Sequence, residues 1–138
     1  MQLNPYLTFN GNCREAMAFY KKCLGGKLML QTVDGSPMAE KLPDAMKKYI
    51  LHATLTTKGF VIMGSDMTPE IGFLKGNASA LMLNCSSGKE INGIFNKLSK
   101  GGKVNHPLKA NYWGALFGDF SDRFGNHWIL NFDKTNKN

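Results

Sequence analysis

Long apolar runs are missing from this chain. No stretch approaches the uncharged length of roughly twenty residues needed to cross a bilayer, so no membrane partner is expected. Asn4, Asn10, Asn12, Arg14 and Glu15 interrupt the first twenty residues, which excludes the apolar core of a secretion signal. The expectation is a soluble, cytoplasmic protein. Cysteine is scarce: Cys13, Cys23 and Cys85 are an odd number without a CxxC pair. That argues against a disulfide framework and a zinc knuckle, and fits small buried thiols. Arginine is scarcer still, since Arg14 and Arg123 are the only two behind a net charge of +7. Nucleic-acid recognition leans on arginine forks, and the lysines (Lys21, Lys22, Lys41, Lys47, Lys48, Lys58, Lys97, Lys100, Lys103) are scattered. A solvated surface follows, with no nucleic-acid partner expected and weak attraction of an anionic small molecule left open. No GxSxG elbow, P-loop or HExxH motif is present.

What the 138 residues do contain is a packable mixture, 43% hydrophobic and 20% charged. That is enough for one ordinary domain or two half-size modules sharing a core. The order of features recurs at a spacing of about 75 residues. Pro5-Tyr6-Leu7-Thr8-Phe9 precedes Asn12 and Glu15, then Ala16, Phe19, Tyr20 and Cys23, then Gly25-Gly26-Lys27. Ala80-Leu81-Met82-Leu83 precedes Ser87 and Glu90, then Ile91, Ile94, Phe95 and Leu98, then Gly101-Gly102-Lys103. Each reads as a strand, a capping box, an amphipathic helix and a glycine stop. Strands are expected next at Leu28 to Val33, Tyr49 to Thr56 and Phe60 to Met63, and again at Lys103 to Leu108, Trp113 to Asp119 and His127 to Phe132. Asp34 to Lys48 reads as an inserted loop.

The fold class expected is α+β: tandem βαβββ modules, residues 1–66 and 78–134, joined by a connector at 67–77. Their curved mixed sheets would form a cup with the helices outside. Concave junctions of that kind are where small molecules usually bind.

The segments YLTFNGNCREAMAF (Tyr6 to Phe19), Gly25-Gly26, His52-Ala53, MGSD (Met63 to Asp66), GGKV (Gly101 to Val104), Pro107-Leu108, Trp113-Gly114 and DRFGNHW (Asp122 to Trp128) cover nearly the whole chain. Together they resemble the PhnB-like branch of the vicinal oxygen chelate superfamily, which includes glyoxalase I, extradiol dioxygenases and fosfomycin-resistance proteins. Members of the branch are sometimes labelled demethylubiquinone methyltransferases. No glycine-rich loop here follows a strand and opens a helix, as a nucleotide-type cofactor site would require.

The resemblance implies that metal-dependent relatives take one ligand from the first and one from the last strand of each module. Counting from the helix cap and the last turn places these positions at Pro5, Met63, Ala80 and Ile129. None carries an imidazole or carboxylate, nor do their neighbours in sequence, so neither a metal nor another cofactor is expected.

Strand alternation then puts His127, Ile129 and Asn131 on the cup face, with Val61 and Met63 in the other module. His52 lies on a neighbouring strand, as a sheet histidine or an acid–base group. Tyr112, Trp113 and Phe117 form an aromatic group, read as core or as a ligand wall. Asp66 and Asp122 stand beside turns, where aspartate often caps backbone. His106 reads as an ordinary edge histidine. Cys13 is in the first helical turn but has no base beside it.

The leading expectation is a small-molecule binder with His52, Met63, Asp66, Tyr112, Trp113, Phe117, His127, Ile129 and Asn131 as candidate ligand-binding residues. Alternatives are a metal-assisted lyase, isomerase or dioxygenase with His52, His127 and Asp66 as replacement ligands, or a structural role as a homodimer.

Overall fold

The structure, a computed structural model, describes residues 1–112 and 114–134. The chain divides into two compact units, Met1–Leu74 and Lys75–Asn138. In the first unit, β1 (Tyr6–Thr8) leads to α1 (Cys13–Leu24), followed by β2 (Lys27–Thr32), β3 (Ile50–Thr56) and β4 (Val61–Ser65). In the second, β5 (Leu81–Asn84) leads to α2 (Gly88–Leu98), then β6 (Lys103–Ala110), β7 (Leu116–Ser121) and β8 (His127–Phe132). The strand orders are β1-β4-β3-β2 and β5-β8-β7-β6, one topology twice. In each sheet the first and last strands run parallel and the other pairs antiparallel. Both units are therefore βαβββ modules, and the sheets stay open.

Each helix exists because one stripe of it can be buried. In α1 the buried positions are Cys13, Ala16, Met17, Tyr20 and Cys23, at helical spacing. They pack with Phe9, Val33, Ile50, Ala53, Leu55 and Ile62 as the core of the first unit. Phe19 sits at the edge of that stripe, and Met17 takes the central place. In α2 the stripe is Ile91, Phe95 and Leu98, over Phe120, Trp128 and Leu130. Phe95 meets Phe120 edge-on, with centroids 5.0 Å apart. Gly118 makes room for this contact, since a methyl group there would lie 2.8 Å from the Phe95 ring.

The two helix starts differ, although the sequence repeats. Ser87 Oγ accepts from the Glu90 amide at 3.0 Å, and Glu90 Oε1 reaches back to the Ser86 amide at 3.0 Å. The expected box forms there, one residue further back than the usual pattern. Ser87→Ala should lower stability by about 1 kcal/mol, read as a lower urea midpoint at unchanged slope. No such box forms at Asn12, whose side chain makes no capping bond. Asp66 replaces it from a distant part of the chain: Oδ1 accepts from the amides of Gly11 and Cys13, both at 2.9 Å.

Several strands depart from their expected limits: β2 and β3 by one residue, and β4 by running on two residues past Met63 to Ser65. β6 runs on through Pro107 to Ala110, because it is an edge strand and its register shifts on either side of His106. β7 begins at Leu116, after a turn in which the Asn111 side chain accepts from the Ala115 amide at 3.0 Å. The residues from 34 to 49 close on themselves through Val33 and Asp34, whose amides donate to the Tyr49 and Lys47 carbonyls. Pro37–Glu40 and Asp44–Met46 form two short 3-10 turns inside that loop. No helix among the described residues is long and apolar enough to cross a membrane.

Candidate functional site

Each sheet has one face under its helix and one face open. In β8, Trp128 and Leu130 are buried, while His127, Ile129 and Asn131 alternate with them on the open face. Cross-strand register extends that face. Ile129 pairs with Met82 and Asp119, Asn131 with Asn84 and Phe117, and His127 with Ser121. On the far side of β7, Lys103 pairs with Ser121, His106 with Asp119 and Lys109 with Phe117. The face thus has an apolar middle of Met82, Ile129 and Phe117, and polar groups that orient one another. His106 Nδ1 lies 2.8 Å from Asp119 Oδ2, His127 Nδ1 lies 2.7 Å from Ser121 Oγ, and Asn131 donates to Asn84 at 3.2 Å.

The open face of the first unit is built by the same register. Met63 pairs with Tyr6 and Thr54, and His52 and Thr54 pair with Gln31 and Met29. His52 Nε2 lies 3.1 Å from Thr54 Oγ1, and the Tyr6 ring packs on the imidazole with centroids 5.8 Å apart. His52, Met63 and Tyr6 are therefore neighbours on one surface. Tyr112 lies fully exposed in the turn before β7. Trp113, the remaining member of that aromatic group, lies outside the described residues.

Asp66 does something different from what its place in the candidate set implies. It is buried at the end of β4, and Oδ2 accepts from the Ile50 amide at 2.7 Å in addition to the two bonds at the start of α1. Three backbone amides occupy the carboxylate, so it fastens α1, β3 and β4 together and presents nothing to a ligand. Asp122 has the turn-capping role expected of it: Oδ1 accepts from Phe124 and Asn126, and Oδ2 from the Trp128 indole at 2.8 Å. The Cys13 thiol is pushed up to about 12 by burial and then by the Asp66 carboxylate, and burial lifts Cys85 to about 11. Both thiols stay protonated at neutral pH and are poor nucleophiles.

Register also corrects the counted first-strand positions. Tyr6 faces Met63 and Met82 faces Ile129, in place of Pro5 and Ala80. The strand-to-helix link is one residue longer in the first unit (9–12) than in the second (85–87), so one count from the caps cannot serve both. The corrected quartet still contains no imidazole or carboxylate. Among the described residues, no group of three His, Cys, Asp or Glu side chains could hold a metal ion. Asp119 and Ser121 escaped the sequence reading, and His106 was read there only as an edge histidine, because cross-strand pairing, rather than any local pattern, brings them together on the face.

Two modules of one topology, each a four-stranded sheet with a helix on one side, define the glyoxalase-like class of α+β proteins. A glyoxalase/bleomycin resistance protein/dioxygenase family enzyme from Burkholderia phytofirmans shares the fold at 10% identity, with a TM-score of 0.65 over 94% of this chain and 95% of that one. Within that class the chain belongs to the PhnB-like family, whose model, described as 3-demethylubiquinone-9 3-methyltransferase, matches residues 1–131. Protein YjdN of Escherichia coli (strain K12) is 32% identical over 95% of each chain. The crystal structure of PA1353 from Pseudomonas aeruginosa is 40% identical, with a TM-score of 0.86 over 96% of this chain and 98% of that one. A putative 3-demethylubiquinone-9 3-methyltransferase, PhnB protein, from Bacillus cereus gives 24% and 0.74 over 96% and 99%.

Proposed function

We propose that the chain binds a small apolar or anionic molecule on its open sheet faces and does so without a metal ion. The observation that carries this reading is the exposure of large apolar side chains on faces with ordered polar groups. Tyr6 and Met29 are 54% and 63% exposed in the first unit, and Met82 and Phe117 are 52% and 37% exposed in the second. Surface of that kind is costly to leave in water, and burying the exposed part of one such side chain under a ligand is worth roughly 1 kcal/mol. Lys103 and Lys109 share the second face through their pairing with Ser121 and Phe117, which supports an anionic group on the ligand.

Thermal unfolding in the presence of hydrophobic acids and small aromatics tests the reading. A ligand at a hundred times its Kd adds about 2.7 kcal/mol, a rise of roughly 8 °C for a chain of this size. Phe117→Asp should remove the rise for a ligand held on the second face. A panel in which no compound raises the midpoint by more than about 1 °C, even at millimolar concentration, would reject it.

A further inference from the structure

The Ser121–His127 pair carries a consequence beyond ligand binding. Ser121 Oγ lies 2.7 Å from Nδ1 of His127, whose other ring nitrogen, Nε2, lies 3.3 Å from the carbonyl oxygen of Gly76. A carbonyl oxygen can only accept, so Nε2 holds the ring proton and neutral imidazole turns the lone pair of Nδ1 toward the serine. A hydroxyl facing a base that a third group orients is the arrangement that activates nucleophiles. Here the third group is a backbone carbonyl, in a segment further anchored by Lys75 Nζ donating to Asn126 Oδ1 at 2.8 Å.

We propose that Ser121 is a nucleophile that takes an acyl group from small carboxylic esters, with His127 as its general base. Its surroundings suit that chemistry. Lys103 is the register partner of Ser121 on β6, which puts a lysine beside the nucleophile, and a cation there would stabilise the developing oxyanion. The neighbouring carboxylate, Asp119, is engaged by His106, and Asp122 is turned the other way onto Trp128. Ile129 and Met82, one rung along, offer an apolar seat for a short acyl chain.

In the first step Ser121 Oγ bonds to the acyl carbon and its proton passes to His127 Nδ1. The carbon–oxygen bond of the ester breaks, and the departing alkoxide takes that proton. Water then attacks the acyl-serine, giving up a proton through His127, and releases the carboxylic acid and Ser121. No oxidant, reductant or further reactant is needed.

An alkyl fluorophosphonate tests the nucleophile directly, because attack breaks the P–F bond, releases fluoride and leaves a stable phosphonyl-serine. The full chain should gain one adduct, mapped to Ser121 by peptide mass spectrometry. Ser121→Ala should gain none there, His127→Gln should label roughly 100-fold more slowly, and Ser87→Ala should label as the parent chain does. No adduct on the parent chain, under conditions that fully label a known serine esterase, overturns the proposal. So does an adduct confined to another residue. Mapping on the parent chain does not depend on any variant folding. The proposal shares the second open face with the ligand-binding reading but can fail separately: midpoint shifts without an adduct sink only the nucleophile, and an adduct without shifts sinks only the binding.

Discussion

Replacing Asp66 with alanine is expected to remove about 4 kcal/mol of stability, seen as a fall of roughly 15 °C in the thermal midpoint. The carboxylate is buried and accepts from the amides of Gly11, Cys13 and Ile50 at 2.7–2.9 Å. Alanine leaves these three donors without their acceptor, and hydrogen bonds to a charged group are worth more than neutral ones. The donors belong to the start of α1 and the start of β3, so losing Asp66 unties two elements from the end of β4 at once. Asp66→Asn keeps one carbonyl oxygen but sets an NH2 against a remaining donor, and should fall between the parent and the alanine variant. A loss below about 1 kcal/mol in Asp66→Ala would mean that water enters and replaces the carboxylate, and that Asp66 does not fasten α1 and β3 to β4.

The second large effect is expected at Gly102. A methyl group there would fall on the carbonyl oxygen of Ser121 and within 2.7 Å and 2.9 Å of the Asp122 backbone carbons. Those atoms belong to the end of β7 and its turn, which cannot yield as a flexible side chain would. Gly102→Ala should cost about 3 kcal/mol, against about 1 kcal/mol for Gly101→Ala. At Gly101 the penalty is the positive φ of 83°, and its nearest neighbour is the movable Arg123 side chain at 3.2 Å. Equal losses in the two variants, measured by denaturant unfolding, would show that close approach is not what fixes Gly102. The first unit repeats the logic at Gly26, where an added methyl would meet the Thr56 carbonyl oxygen at 2.5 Å.

Several side chains in the segments that identify the family have the same structural role. In the MGSD segment, Gly64 gives way to Cys13, Met17 and Phe9, Ser65 donates to the Leu51 carbonyl and Asp66 caps three amides. In DRFGNHW, Asp122 holds the turn and the Trp128 indole. These side chains are fasteners of the fold. Fasteners of this kind fix a shape, so family membership leaves the reaction open.

Local chemistry in the sequence determined a great deal. The repeated order of strand, cap, amphipathic stripe and glycine stop was enough for two βαβββ modules, because each signal depends on residues three or four apart. Alternation in β8 was enough to separate His127, Ile129 and Asn131 from Trp128 and Leu130, because side chains in a strand have a period of two. What the tertiary structure decided was everything that crosses between strands or between distant segments. It gave Asp66 to α1 in place of the Asn12 cap, and moved the partners of Met63 and Ile129 from Pro5 and Ala80 to Tyr6 and Met82. It also brought Ser121 to His127, and Asp119 to His106. Register depends on loop lengths and bulges summed along the whole sheet, and a one-residue difference changes every partner. A linear pattern carries no record of that sum.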